Sequence, residues 1–281
     1  MGIYNYLNPI NNGKSFLSNF YLSNVLKFKP YKSRHNVYLE NSRYIIKTAE
    51  NNSELISALA IRYSVFKREI LNKSNIIKLD IDKFDKKCDH IIVYSKDCGK
   101  IVGTYRINLN PKRLYSAKEF NIKNIIKLNG RIAELGRACI LKEHRKGIVL
   151  KLLWKGIKSY IEKQNIEYIF GCSSVFINDI YKINEIFKYF EKNNYLYSKF
   201  LAKPKHKFRL NNFESIYNNI NNNVTPSTIH LIPDLLKYYL RLGAKVCSYP
   251  AFDKNFNCVD FLTIIEYTNI KNSKVTFIKK L

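Results

Sequence analysis

Arginine and aspartate residues in the first half of the sequence have a spacing that can produce a buried cluster of opposite charges. Arg62 falls on the apolar stripe of a predicted helix, where its guanidinium needs carboxylate partners. An aspartate-rich run follows at residues 80–85, and we expect Asp82 and Asp85 to be those partners. Arg106 lies on the polar side of a predicted strand and can join them. Such a lattice either orders the segment after the helix or binds a zwitterionic substrate, and both possibilities stay open.

A second group of residues could transfer protons. Glu134 and Arg137 lie three residues apart in an otherwise apolar strand. Residues with this spacing face opposite sides of a regular strand, but a bulge at Gly136 would bring the two side chains toward one side. A glutamate buried there is a candidate general base. A salt bridge between strands explains the pair equally well.

The start of a strongly amphipathic helix, predicted at residues 147–164, favours the binding of an anion. Free N–H groups and the positive end of the helix dipole meet there, so two neighbouring cations and a glycine predict a phosphate seat. Helix capping without a ligand is the alternative. The residues concerned are His144, Arg145, Lys146 and Gly147.

The cysteines indicate a reducing compartment and disfavour a covalent intermediate. They occur singly, without a C-x-x-C motif, which is typical of a cytoplasmic protein. An acyl-enzyme on Cys172 or Cys139 is the less favoured mechanism, because both lie in apolar strands and neither has a histidine nearby in sequence. The common zinc, nucleotide and dinucleotide motifs are absent. The sequence therefore predicts no metal and no resident cofactor.

Hydrophobic periodicity predicts a mixed set of strands and helices. Asn51 and Glu54 have the spacing of a capping box at the start of the first helix, whose apolar residues continue to Phe66. The order of elements predicts an α/β fold with a mixed sheet and helices on its faces. The predicted strands cover residues 44–48, 89–95, 100–109, 132–141, 167–173, 245–248 and 259–267, and the later helices cover residues 147–164, 179–192 and 233–243.

The chain of 281 residues carries 48 Lys and Arg against 22 Asp and Glu, a net charge of +26. Such a surface favours an acidic partner, whether nucleic acid, an anionic membrane or an acidic protein, although a general bias toward Lys, Asn and Ile contributes. We predict a basic, aromatic extension at residues 1–42 and a single domain at residues 43–281 with a long excursion at 194–229. An amphipathic helix at residues 16–26 could lie on a membrane, or the extension could be loosely docked. No apolar run reaches the length of a membrane helix.

Separated blocks of the sequence, taken in order, resemble the bacterial ornithine-lipid N-acyltransferase family, the hemolysin-like acyltransferases of the GNAT superfamily. The resemblance extends over about residues 43–267. It implies a GNAT-like, mainly antiparallel sheet flanked by helices, with a C-terminal helix-plus-strands elaboration. The blocks are residues 61–66, 82–85, 88–90, 102–106, 134–137, 152–154, 171–174 and 239–244.

The resemblance implies transfer of a fatty, often 3-hydroxylated, acyl chain from acyl carrier protein to the α-amine of ornithine, which gives a lyso-ornithine lipid. Acyl-homoserine-lactone synthases are similar in the same charged residues. Glu134 and Arg137 are then the catalytic residues, with Glu134 as base. The substrate-binding residues are Arg62, Phe66, Asp82, Asp85 and Arg106, among which Arg106 and Arg137 are the leading candidates for the acceptor carboxylate.

The same comparison bears on the acyl donor. The superfamily's phosphate loop, R/Q-x-x-G-x-G/A, is altered here at His144 and Val149. This departure disfavours coenzyme A and leaves carrier-protein phosphopantetheine as the expected donor group. Its predicted contacts are Cys139, Leu141, Arg145, Lys146 and Gly147, with a strand N–H near Cys139 to Leu141 holding the oxyanion.

The predicted partners are acyl carrier protein, an amino acid such as ornithine and an anionic membrane surface, and nucleic acid is not expected. Carrier docking would use basic residues around the amphipathic helix, namely Lys142, Arg145, Lys146, Lys151 and Lys155. An acyl-homoserine-lactone synthase or another GNAT acyltransferase is the alternative enzyme. A non-catalytic basic module is less favoured, because acidic side chains lie among its arginines. We expect a cytoplasmic protein, peripheral to the inner membrane face.

Overall fold

The chain forms strands and helices that divide between two units. The structure is a computed structural model and describes residues 30–145, 147–219 and 226–272. The strands are β1 (Tyr38–Glu40), β2 (Tyr44–Thr48), β3 (Asp89–Ser95), β4 (Lys100–Asn108), β5 (Ile132–Ile140), β6 (Tyr168–Val175), β7 (Lys245–Val246), β8 (Ala251–Asp253) and β9 (Cys258–Glu266). The helices are α1 (Asn52–Arg62), which continues as a π-helix (Tyr63–Ile70), α2 (Lys123–Ile126), α3 (Val149–Lys163), α4 (Ile180–Lys192), α5 (Phe213–Asn219), α6 (Asp234–Arg241) and α7 (Tyr267–Asn272).

Unit 1 contains the described residues up to Asn108 together with Leu135–Asn165. Strands β1 to β4 pair antiparallel in sequence order, and β5 follows β4. The predicted strand at 44–48 and the hairpin of β3 and β4 are confirmed. In the hairpin His90 lies opposite Arg106, a register that brings a predicted site residue beside a buried histidine.

Helices α1 and α3 cover opposite faces of the sheet in unit 1. Ile92 belongs to the core that packs against α1, whereas the neighbouring Ile91 contacts α3. Successive residues of a strand point to opposite faces, so the two helices lie on different sides. Helix α3 approaches the sheet closely: a Cβ on Gly156 would lie 2.7 Å from Ile46 Cγ2 and 2.9 Å from Ile91 Cγ2.

Helix α1 begins at the predicted N-cap but ends differently from the prediction. The Asn51 Oδ1 accepts a hydrogen bond from the Glu54 N–H at 3.0 Å. The Glu54 carboxylate accepts from the N–H of Glu50 and not from that of the cap residue, so the predicted capping box is only half formed. After Arg62 the helix widens into π-helical turns. The prediction of a regular α-helix as far as Phe66 is therefore wrong. Such turns are rare and are frequent at functional sites.

Residues 30–42, which the sequence assigned to the extension, are tied to unit 1. Tyr31 is buried, and its hydroxyl donates to the Cys88 carbonyl at 3.1 Å. The Arg34 N–H donates to Asp89 Oδ1 at 2.8 Å, and the other oxygen of Asp89 accepts from the Tyr160 hydroxyl of α3 at 2.6 Å. Strand β1 was also missed. The predicted helix at residues 16–26 lies outside the described residues.

Unit 2 contains Leu109–Glu134 and the described residues from Ile166 onward. The first three residues of β5 pair parallel with β6, and β6 pairs antiparallel with β9. Strands β7 and β8 both add to β9. Within the two units together, the pairings agree with the predicted α/β fold and its mainly antiparallel sheet flanked by helices.

The excursion predicted at residues 194–229 has structure of its own in unit 2. Isolated bridges join Leu196 to Val246 and Ala202 to Ser248, and α5 packs its buried Phe213 against Phe187 of α4. The segment therefore lies against the unit-2 core in these parts.

The end of α6 confirms one predicted helix stop. Gly243 adopts φ +90, and its N–H donates to the Leu240 carbonyl, so a residue with a side chain would be strained there. Pro233 flanks the helix as its N-cap and does not lie within its first turn. In the part of the chain described, no helix is both long and apolar enough to cross a bilayer.

We expect Gly156→Ala to lower the free energy of unfolding. Overpacking a close helix-sheet contact costs about 1–3 kcal/mol, which exceeds the roughly 1 kcal/mol that alanine gains in helix propensity. Urea unfolding of the purified protein measures the change. Gly136→Ala is the matched control, because a Cβ there meets no atom within 4 Å. Equal unfolding midpoints for the two variants would contradict the packing argument.

Candidate active site

A lattice of arginines and aspartates occupies one region of unit 1. Arg62, on the last turn of α1, donates from Nε and Nη2 to Asp80 Oδ2 at 2.9 and 2.8 Å. Its Nη1 donates to Asp85 Oδ1 at 2.5 Å. The predicted partner Asp82 lies farther away, with Oδ2 3.9 Å from Nη2. Asp80 therefore takes the place that the sequence assigned to Asp82.

Two further arginines complete the lattice from strands β4 and β5. Arg106 Nη1 donates to Asp82 Oδ2 at 2.7 Å and to Asp85 Oδ1 at 2.8 Å. Arg137 Nη2 donates to Asp82 Oδ2 at 3.3 Å, and its Nε lies 3.6 Å from Asp80 Oδ2. Every aspartate of the group thus contacts at least two guanidinium groups, which compensates the cost of burying the charges.

The lattice is graded from a dry interior to a more accessible edge. The side chains of Arg62 and Asp85 are 0% exposed, whereas those of Asp82 and Arg137 are 16% and 14% exposed. Burial alone would raise the pKa of Asp82, but Arg106, Arg137 and Arg62 outweigh it and hold the pKa below its usual value. The stability that this carboxylate contributes is therefore present above its ordinary pKa and is lost only as the pH falls well below it.

His90 lies against the inner end of the lattice in a neutral state. Its Nε2 is 3.0 Å from the Asp85 carbonyl oxygen, which can only accept, so Nε2 carries the proton. Burial, assisted by Arg62 and Arg106, lowers the pKa of His90 to about 4. The imidazole consequently adds no charge to the lattice at neutral pH.

Arg137 occupies an unusual backbone conformation. Its φ is +57, in the left-handed region that a residue other than glycine enters at a cost of roughly 1–2 kcal/mol. The irregularity expected at Gly136 therefore falls one residue later. It leaves the guanidinium 5.6 Å from the ring centre of Phe66, another predicted site residue, in a cation-π contact. Strain of this kind is concentrated at functional sites.

Glu134, in unit 2, is held by the segment that precedes α2. Its Oε1 accepts from both the N–H and the hydroxyl of Ser116, at 2.7 and 2.6 Å, and its Oε2 accepts from the Tyr115 N–H at 2.6 Å. The carboxylate is buried, as predicted for the base. It orients this segment, and one lone pair on Oε2 stays unused by these three bonds.

The residues predicted to hold the donor phosphopantetheine are in unit 1, and two of them have other partners. The Leu141 N–H donates to the Val102 carbonyl at 3.0 Å, so this N–H is not the exposed donor expected for the oxyanion near Cys139 to Leu141. Arg145 forms a two-pronged ion pair with Glu69 of the π-helix and donates from Nε to the Ile140 carbonyl. Its charge is therefore already paired, which does not support the predicted phosphate contact.

The remaining donor residues surround the start of α3. Gly147 lies in the turn before the helix, which begins two residues later than predicted, at Val149. Ile148 flanks the first turn without a side-chain cap. Cys139 is buried in β5, and Lys146 lies outside the described residues.

The surroundings of both cysteines considered for an acyl-enzyme disfavour the thiolate form. Burial raises the pKa of the Cys139 thiol. Burial and the nearby Glu119 and Asp260 raise the pKa of the Cys172 thiol well above its usual value. A thiolate is the reactive form of cysteine, so these environments argue against covalent catalysis at either position.

Unit 2 contains a buried acidic group that the sequence did not reveal. Glu119 hydrogen-bonds to Asp260, and burial together with Asp260 and Asp253 raises the pKa of Glu119 to about 9. Asp260 also accepts from the Ser174 hydroxyl at 2.5 Å. One proton is thus shared between two carboxyl groups at neutral pH.

The same group contains metal-ligand atom types. Atoms of Glu119, Cys172 and Asp260 lie within 4.8 Å of one another. The shared proton already offsets part of their charge. No spacing in the sequence could have shown this group, because its members lie on three separate segments.

Comparison with known proteins gives the class of the chain. Residues 61–155 match a family described as an acetyltransferase (GNAT) domain. The chain is also similar in structure to FeeM, an N-acyl amino acid synthase from uncultured soil microbes, with a TM-score of 0.50, 10% identity, and coverage of 85% of this chain and 99% of that one. The matched segment and the similar fold agree with the predicted GNAT-like fold, and the description of the matched family supports an acyltransferase.

Sequence relatives narrow that class. The chain is 29% identical to an L-ornithine N(alpha)-acyltransferase of Agrobacterium fabrum, over 82% of this chain and 83% of the relative. It is 28% identical to a protein of the same name from Brucella abortus, over 83% and 87%. These homologues support an N-acyltransferase and confirm the resemblance found in the sequence.

We expect Asp85→Asn to destabilise the fold by about 3–5 kcal/mol, because Arg62 and Arg106 would keep their buried charges without a carboxylate between them. Asp82→Asn is the matched variant at the more accessible edge, and it should cost distinctly less. Denaturant unfolding of both proteins measures the difference. Equal losses of unfolding free energy in the two variants would show that the buried part of the lattice contributes no more to stability than its accessible edge.

We expect Glu119→Gln to flatten the dependence of stability on pH. Because its pKa is raised in the folded state, Glu119 contributes stability fully below its ordinary pKa of about 4.3 and loses it as the pH rises toward 9. The melting temperature of the parent should fall across this range more steeply than that of the variant. Glu214→Gln, at an exposed position, is the control and should follow the parent. If melting temperature depended on pH in the same way for all three proteins, the proposal that Glu119 keeps a proton shared with Asp260 would be refuted.

Proposed function

We propose that this protein is an N-acyltransferase that moves a fatty acyl chain from an acyl carrier protein thioester to the α-amine of ornithine or a similar amino acid. The observation that carries the proposal is the similarity to L-ornithine N(alpha)-acyltransferases over most of both chains. The product would be a lyso-aminolipid, and the chain transferred would be 3-hydroxylated in the manner that the sequence resemblance implies.

The accessible edge of the lattice supports an amino-acid acceptor. Asp82 and Arg137 place a negative and a positive group beside each other. These charges are complementary to the ammonium and the carboxylate of an amino acid. The acceptor carboxylate would bind Arg137 and the adjacent Arg106, and its ammonium group would contact Asp82. The interior pair of Arg62 and Asp85 is shielded from solvent and would hold these groups in position without touching substrate.

The reaction requires a base because an α-amine with a pKa near 8 is mostly protonated at neutral pH. In the proposed reaction the amine loses one proton, its nitrogen forms a bond to the thioester carbonyl carbon, and the carbon–sulfur bond breaks. The second amine proton goes to the departing thiolate through solvent. The result is one amide and one carrier thiol, without an acyl-enzyme.

Glu134 is the proposed base for this step. Three donors fix its carboxylate, and the remaining lone pair of Oε2 can receive a proton directly or through one water. Burial keeps bulk water from competing. The same three hydrogen bonds also support a purely structural role for Glu134, so an experiment must separate effects on the chemical step from effects on stability.

An acidic carrier fits the charge of this chain. The net charge of +26 is strongly complementary to a protein rich in carboxylates. Lys142 and Lys151 are exposed around the start of α3, where the phosphopantetheine group would arrive. Association driven by such charges should weaken as salt increases.

We expect purified protein to acylate ornithine when a 3-hydroxyacyl carrier protein is supplied, and to use acyl coenzyme A poorly. Glu134→Gln should lower kcat by about a hundredfold or more, with a smaller change in KM for the amino acid. Asp82→Asn should act mainly on that KM. Mass spectrometry of extracted lipid, with lysine, glycine and serine offered in parallel, measures product and acceptor preference.

The controls separate catalysis from folding. Ser116→Ala removes one donor to Glu134 but keeps the carboxylate, so it should retain most of the kcat that Glu134→Gln loses. Parent-like turnover by a folded Glu134→Gln variant would exclude Glu134 as the base. Acylation only with S-adenosylmethionine would point to a homoserine-lactone synthase, and the absence of any acylated product would overturn the proposed function.

A further inference from the structure

A tight turn in unit 1 presents two isoleucines to solvent. Ile76 and Ile77 occupy the two central positions of the turn at residues 75–78, which the Lys78 N–H closes by donating to the Asn75 carbonyl at 3.3 Å. Ile76 is 95% exposed, more than any other large hydrophobic residue in the described part of the chain, and Ile77 is also exposed. We call residues 75–78 the isoleucine turn.

The exposure of these isoleucines is fixed by the surrounding backbone. Asn75 Oδ1 accepts from the Lys78 N–H at 2.6 Å, and Asn75 Nδ2 donates to the Leu79 carbonyl at 3.1 Å. The Asn75 N–H donates to the Tyr63 hydroxyl at 3.3 Å, which ties the turn to the buried end of α1. These hydrogen bonds hold the turn in one conformation, with its two central residues facing solvent.

Folding does not account for isoleucine at this apex. The central positions of turns favour Gly, Pro, Asn, Asp and Ser, which suit the backbone or solvent. Two β-branched apolar residues gain nothing there from turn geometry, and Ile76 buries almost no surface within its own unit. The arrangement makes physical sense when an apolar environment outside the protein receives the two side chains.

Three cations lie close to the isoleucine turn in the sequence. Arg68 and Lys73 lie on the chain leading to it, and Lys78 lies at its end. In the described residues no ion pair involves these three cations. The nearby Glu69 is paired with Arg145, so it does not offset them.

We propose that the isoleucine turn docks on an anionic lipid bilayer, with Ile76 and Ile77 entering the headgroup region while the flanking cations contact lipid phosphates. A protruding apolar apex with cations before and after it along the chain suits the headgroup region of an anionic bilayer. Protein interfaces instead concentrate aromatic residues in closely packed patches, which the isoleucine turn lacks. An acidic protein partner is therefore the alternative that the test must detect. The inference stands apart from the proposed function, because it rests on surface residues that take no part in the acyl transfer.

Sedimentation of the full chain with lipid vesicles tests the proposal. The parent should bind vesicles that contain phosphatidylglycerol more tightly than vesicles of phosphatidylcholine alone, and the difference should shrink with salt. The double variant Ile76→Ser with Ile77→Ser should bind the anionic vesicles about tenfold more weakly or worse. Lys73→Glu should weaken binding to vesicles that contain phosphatidylglycerol and leave binding to phosphatidylcholine vesicles unchanged.

Ile126→Ser is the matched control, because Ile126 is an exposed isoleucine of unit 2. It should bind vesicles like the parent, and all variants should keep the parent melting temperature and their turnover of carrier-bound acyl chains in the absence of lipid. The proposal is overturned if the double serine variant binds anionic vesicles as the parent does. It is also overturned if that variant loses only its affinity for acyl carrier protein, which would assign the isoleucine turn to a protein partner.

Discussion

The contact between Arg62 and Asp85 is the constraint on which unit 1 depends. Both side chains are withdrawn from water, so each charge must be compensated by the other and by one further partner, Asp80 for Arg62 and Arg106 for Asp85. This requirement connects the last turn of α1 to the segment before β3, and through Asp85 to Arg106 in β4. Residues distant in sequence are therefore held in one arrangement by electrostatics, and the apolar core around them could not specify that arrangement alone. Arg137 and Asp82 gain their defined positions at the edge because the interior is already fixed.

Buried carboxyl groups in the two units have different neighbours. In unit 1 the neighbouring guanidinium groups hold the pKa values of Asp82 and Asp85 below their usual range, although burial alone would raise them. In unit 2 Glu119 has no such compensation, and it keeps a proton that it shares with Asp260. The buried carboxylate of Glu134 is held by neutral donors from Ser116 and Tyr115, which leave one lone pair of Oε2 unused.

Much of the fold could be predicted because it follows from local pattern. The strand-like runs of β3 and β4 and the apolar stripe of α3 predicted the types of these elements, and the position of Arg62 on an apolar stripe required acidic partners nearby. Which aspartate would be nearest could not be read from the sequence, because residues 80–85 offer several at similar distances along the chain. The π-helical turns after Arg62 were missed because only Val65 and Phe66 continue the apolar stripe there, and two adjacent residues do not distinguish one helical period from another. The partners of Glu134 and the Glu119 group depend on contacts between remote segments, which leave no local spacing.

The backbone at Arg137 has a consequence for how this protein would respond to selection. Glycine or asparagine would relax the left-handed conformation there, so a library of variants sorted only for resistance to heat should enrich those residues at position 137. A library sorted for product formation should restore arginine if the guanidinium binds the acceptor. Together, the two selections would show how strongly stability and how strongly catalysis determine the residue at position 137.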